Sequence, residues 1–125
     1  MTYRITVDMP RPPLTSNDQR RAHWTKVRTA KTDVETAVSW QARAAKIPTV
    51  DYADVTVIWY APDAKRRDPD ALSPFLKAAL DALVHAGVLE DDNSKYVRQV
   101  AMRTLIDRAN PRIEILIDPV DQEAA

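Results

Sequence analysis

The chain of 125 residues has no cysteine, one glycine, one phenylalanine and two histidines. Without thiols there are no disulfides and no thiol catalysis, and so few imidazoles leave little from which to build a soft or zinc-type metal centre. No apolar run approaches the ~18 residues of a membrane span, and the N-terminus lacks the apolar core of a signal peptide. The expectation is a cytoplasmic protein with no membrane partner. Net charge is also missing: 18 basic and 18 acidic residues balance to zero, which is not the bulk signature of a nucleic-acid binder.

Distribution matters more than that sum. Arg11, Arg20, Arg21, Lys26, Arg28 and Lys31 crowd the first quarter, Lys65-Arg66-Arg67 forms a second basic cluster, and the C-terminal stretch carries Asp118, Asp121 and Glu123. Hydrophobic content of 45% and charged content of 29% suit an ordinary globular protein, and the length suits a single domain over residues 1–125.

The most informative stretch runs from Arg66 to Asp92, RRDPDALSPFLKAALDALVHAGVLEDD. A basic lead-in meets a carboxylate pair, Asp68-Pro69-Asp70, and a second pair, Asp91-Asp92, follows an amphipathic segment. Ser73 as N-cap, Pro74 where a missing N–H costs nothing, and Gly87 as a left-handed terminator predict a helix of about 13 residues, ~20 Å long. Such a spacer would fix where two acidic loops meet. Carboxylates brought together repel or raise one another's pKa, so a cation is needed to offset them. Hard oxygen donors suit Mg²⁺, or Mn²⁺, either of which keeps waters for a phosphate substrate. The same residues equally suit a turn around Pro69 and a polar Asp91-Asp92-Asn93 loop.

The ordered set Asp68-x-Asp70, Leu72, Lys77-Ala-Ala-Leu-Asp81-Ala-Leu, Ala86-Gly87 and Asp91-Asp92 resembles the signature of the RusA family of Holliday junction resolvases. The match is close over this core and looser elsewhere. It departs from the family pattern at Ala71, where Asn is usual, and in a longer step from Asp70 to Lys77 that holds Ser73, Pro74 and Phe75. The resemblance implies a homodimeric, Mg²⁺-dependent endonuclease that nicks symmetric strands of four-way DNA junctions. It further implies metal ligation by Asp68, Asp70 and Asp92, with Asp91 as alternate or outer ligand, and a Lys77 ammonium near the scissile phosphate. Phosphate contacts are expected from Lys65, Arg66 and Arg67, and from Arg21 and Arg28, which stand seven apart along one predicted helix. A non-catalytic DNA-binding protein of the same fold and a nuclease acting on flaps, forks or RNA are the competing readings.

Elsewhere the alternation of Tyr3, Ile5 and Val7 predicts a strand, and Met9-Pro10-Arg11-Pro12-Pro13 an extended segment that lines a groove or crosses to a partner. Val27, Val34, Val38 and Ala42 recur at helical spacing over Asp18–Lys46, and His23-Trp24 near that helix's start offers a base-stacking surface or a core contact. Val55–Tyr60 is apolar on both sides, as in a central strand covered on both faces. Val97–Ile106 and Arg112–Ile117, five residues apart, read as an antiparallel hairpin. The order β-α-β-α-β-β predicts an α+β fold, a mixed four-stranded sheet packed by two helices, with a homodimer covering what is left bare.

Overall fold

The computed structural model describes residues 1–122, leaving aside the side chain of Arg21. Strand β1 (Tyr3–Val7) leads through the proline-rich segment into helices α1 (Ser16–Arg21) and α2 (Trp24–Ala44). Strand β2 (Ala53–Ala61), a 3-10 turn (Pro69–Leu72), helix α3 (Ser73–His85), and strands β3 (Val97–Ile106) and β4 (Arg112–Pro119) follow. The α+β class and the four-stranded mixed sheet are as expected; the α-helices among the described residues number three. The long helix predicted from Asp18 breaks at Ala22 and His23, both extended. A Thr15–Asp18 capping box starts α1, and the His23 ring accepts the Thr25 N–H to start α2. Histidine is not among the usual N-caps, so residue types alone offer little sign of this break.

The sheet order is β1-β4-β2-β3, with β2 parallel to β3 and antiparallel to β4. The predicted β3–β4 hairpin therefore does not form. Its five-residue connection passes the end of β2 and delivers β4 to the sheet interior, where Ile113, Ile115 and Ile117 are fully buried. Strand β3 takes the edge instead, which suits its Arg98, Gln99 and Arg103. The β2-α3-β3 unit is a parallel crossover of the kind a helix allows.

Alternation puts Ile5 and Val7, Val55, Val57 and Trp59, and the three β4 isoleucines on one sheet face. Val34, Val38 and Ala42 of α2 and Phe75, Leu76, Ala79 and Leu83 of α3 cover it. Among the described residues the other face has no second layer. Arg98 holds Asp54 through two bonds of 2.9 and 2.6 Å, and Arg112 lies 4.0 Å over the Tyr60 ring while bonding Glu114 and Asp107. Strand β2 is thus interior, as expected, but its second face is shielded by charged side chains rather than by an apolar layer. No helix among the described residues is long and apolar enough to cross a membrane.

Candidate active site

The site is built around α3, whose sequence leaves it one solvent-facing stripe. Phe75, Leu76, Ala78, Ala79, Leu80, Ala82 and Leu83 are buried. Ser73, Lys77, Asp81 and His85, spaced by four, line the outer face. Ser73 does not cap the helix as predicted. The chain enters α3 directly from the 3-10 turn, with Leu72 already helical, and the Ser73 hydroxyl donates back to the Asp70 carbonyl at 2.7 Å. The Ser16 hydroxyl of α1 reaches the same carbonyl at 3.2 Å, tying the turn that carries Asp70 to α1.

Asp68 and Asp70 open into a groove of about 670 Å³ between α1, the end of β2 and the 3-10 turn. Arg11, Arg20, Lys65, Arg66 and Arg67 share its walls, five cations against the three carboxylates Asp63, Asp68 and Asp70. A neutral protein thereby presents a locally positive cleft. The proline-rich segment lines this groove through Arg11, and the Trp59 indole N–H donates to the Pro10 carbonyl at 2.9 Å. Arg67 is the most constrained of the cations. It stacks 4.5 Å over Trp59 and bonds Asp63 at 2.6 Å; the Lys65 backbone N–H, and after it this Arg67 bond, hold the Asp63 carboxyl below its usual range. Lys65 and Arg66 are exposed, and Arg28 lies 5.4 Å from the exposed Trp24 ring on α2. The helix break puts Arg21 and Arg28 on different helices, so the single line expected of them does not exist; the Arg21 side chain lies outside the described residues.

The second acidic pair comes back toward the first. Gly87, at φ +79°, reverses the chain, and the Val88 and Leu89 N–H groups both bond the Leu83 carbonyl. Buried Val88 and Leu89 pin the return, so that Asp92 meets Lys77 at 2.7 Å, one turn into α3. Lys77 also bonds Asp81 at 3.1 Å, the pairing its spacing predicts, and Asp81 in turn lies 3.5 Å from Lys31 of α2. Asp92, and after it Asp81, hold the Lys77 ammonium above the usual lysine range. Lys77 correspondingly holds Asp92 below the usual carboxylate range. Both Asp91 oxygens are engaged inside the loop, one by the Asp92 N–H at 2.7 Å and one by the Asn93 amide at 3.3 Å.

The two pairs therefore stay distinct. Among the described residues no three acidic or imidazole side chains gather as a metal-binding group. Asp68 and Asp70 are exposed, and neither carboxylate has a protein partner among the described residues. As hard donors in a groove where the buried Thr104 hydroxyl also lacks a partner, they fit a hydrated divalent cation that takes few carboxylates. Two groove cations, Arg11 and Arg20, were absent from the expected phosphate contacts. Their signal was present in the basic first quarter, but only the true helix boundaries show which of those residues turn toward Asp70.

The family model of endodeoxyribonuclease RusA matches residues 6–118. The chain belongs to the RusA family. That assignment makes it a nuclease acting on DNA, and the RusA match takes in every element of the fold except the outer residues of β1 and β4. No curated protein matches the chain.

Proposed function

We propose that the protein is a Mg²⁺-dependent endonuclease that resolves four-way (Holliday) DNA junctions by paired symmetric nicks, working as a homodimer. One observation carries this reading. The unpartnered Asp68–Asp70 pair opens into a basic groove, with an ammonium one turn along the adjoining helix, in a chain of an endodeoxyribonuclease family. Mg²⁺, or Mn²⁺, held by Asp68 and Asp70 with Asp92 and Asp91 as further donors, would supply an activated water and polarise the scissile phosphate.

The chain's own residues account for the rest. Arg11, Arg20, Lys65 and Arg66 hold backbone phosphates along the groove without reading sequence, and Arg28 extends that track over α2. Arg67 keeps the Asp63–Asp68 loop in place from its seat on Trp59. Lys77 neutralises charge accumulating on the phosphoryl oxygens, and its two carboxylate partners keep it protonated for that task. Two nicks related by a two-fold axis call for two identical sites, which an isologous dimer provides.

The test is cleavage of a labelled four-way junction with and without Mg²⁺, beside duplex, fork and RNA controls, with sedimentation equilibrium on the same preparation. Mg²⁺-dependent nicks at symmetry-related positions by a dimer are expected. Binding without nicking would make the protein a DNA-binding member of the fold. Cleavage confined to forks or RNA would move the substrate, and a 14 kDa species in the presence of junction would remove the paired-nick mechanism.

A further inference from the structure

Lys77 has two anchors of different kinds. Asp92 is offered by a loop and belongs to the acidic set proposed for metal ligation, so its hold on Lys77 competes with that role. Asp81 sits on the same face of the same helix as Lys77, four residues on, and is carried by α3 rather than by a loop. Asp81 is itself fixed from outside α3, by the Lys31 ammonium at 3.5 Å, and Lys31 lies 4.0 Å from Glu35 on its own helix. The series Glu35, Lys31, Asp81, Lys77 thus runs from the packed α2–α3 contact to the edge of the acidic site. Ser39 of α2 donates to the Ala82 carbonyl beside Asp81 at 3.4 Å and registers the two helices against each other.

The geometry points to Asp81 and Lys31 as positioning residues that hold the Lys77 ammonium over the reacting phosphate when Asp92 turns to other work. This rests on the nuclease reading above and adds to it two residues that never touch DNA or metal. A lysine on a flexible four-carbon stem loses rate when it is not held, and a displacement of about 1 Å at a reacting centre costs up to ~10²-fold. Losing Asp81 should therefore lower kcat rather than weaken junction binding. Lys31 acts one step further back and should matter less.

The experiment is a double-mutant cycle on junction cleavage with the full-length protein. Asp81→Asn, which keeps the shape of the side chain, should lower kcat by roughly 10-fold with KM within about twofold, and Lys31→Met by roughly threefold. In a Lys77→Ala background neither substitution should lower the rate further. Asp81→Glu should recover part of the loss, which a helix-packing defect would not. Wild-type kcat in Asp81→Asn, or the same fold loss with and without Lys77, would overturn the proposal. A second readout needs no cleavage: the ¹⁵N-detected Lys77 ammonium signal of metal-free protein should be sharp in the wild type and in Asp92→Asn, where Asp81 alone holds it, and lost when Asp81→Asn is added to Asp92→Asn. Loss in Asp92→Asn alone would overturn the relay. If no variant and no wild-type protein cuts DNA, the nuclease reading fails while the ammonium signal still decides who holds Lys77.

Discussion

The two acidic pairs make opposite use of the same side chain. Asp68 and Asp70 flank a proline in a short turn, are exposed, and have carboxylates that nothing in the described protein satisfies. Asp91 and Asp92 sit in a loop that binds them, Asp91 to the Asp92 backbone N–H and the Asn93 amide, Asp92 to Lys77. Cost explains the difference. A carboxylate left free in a groove with five cations is tolerable, and one brought alongside a helix needs its own counter-charge. The first pair is available to a ligand as it stands. The second must release a lysine or share it.

The sharpest way to test that contrast is to remove a free carboxylate. Asp70→Asn should cut nicking by ~10³-fold or more, the several kcal/mol a metal-held water contributes, and leave junction binding equal or tighter because a negative charge facing phosphate is gone. Loss of folding together with binding would instead make Asp70 a structural turn former. Next in size, Lys77→Ala should slow turnover by about 10²-fold through lost charge stabilisation. Unchanged turnover would leave Lys77 as a surface ion pair and no more.

A smaller effect is expected along the groove. Arg20→Ala should weaken binding to all junction sequences alike and lower the slope of log affinity against log salt by about 1. An unaltered slope would place the DNA elsewhere. The smallest effect concerns the committed pair itself. Because Asp92 is held below the ordinary carboxylate range, its contribution to stability is present above that range and is lost as pH falls through it toward the folded value. Lys77, shifted upward, contributes below the ordinary lysine value and loses this as pH rises through its folded value. With Lys77 61% exposed, the pair is worth under about 1 kcal/mol, and Asp92→Asn should flatten the acid limb of thermal stability by no more than that.

How much of this the sequence showed depended on the range of the interactions involved. Helix α3 was legible nearly to the residue because Pro74 and Gly87 act locally, and Lys77–Asp81 because spacing alone brings them together. The β3–β4 hairpin was misread because five residues between strands favour adjacency, and nothing local reveals that β2 stands between them. A cue was there: Ile113 to Ile117 is apolar on both sides apart from Glu114, as an interior strand should be, and Val97–Ile106 carries two arginines and a glutamine. The break at His23 and the return of Asp92 to Lys77 were out of reach for another reason. The first depends on an imidazole acting as a cap, the second on buried Val88 and Leu89 fixing a loop against a core the sequence does not draw.

The place of β4 bears on when the protein can fold. The last strand made lies between the first two, with Ile117 paired to Tyr3 on one side and to Val55 on the other. A nascent chain that has emerged only as far as Asn110 has nothing to put between β1 and β2, and lacks the three isoleucines at the centre of the apolar layer. Contacts this distant in sequence close slowly. Folding of the sheet therefore waits until β4 has emerged, and a truncation before Arg112 removes the middle of the sheet rather than an edge strand.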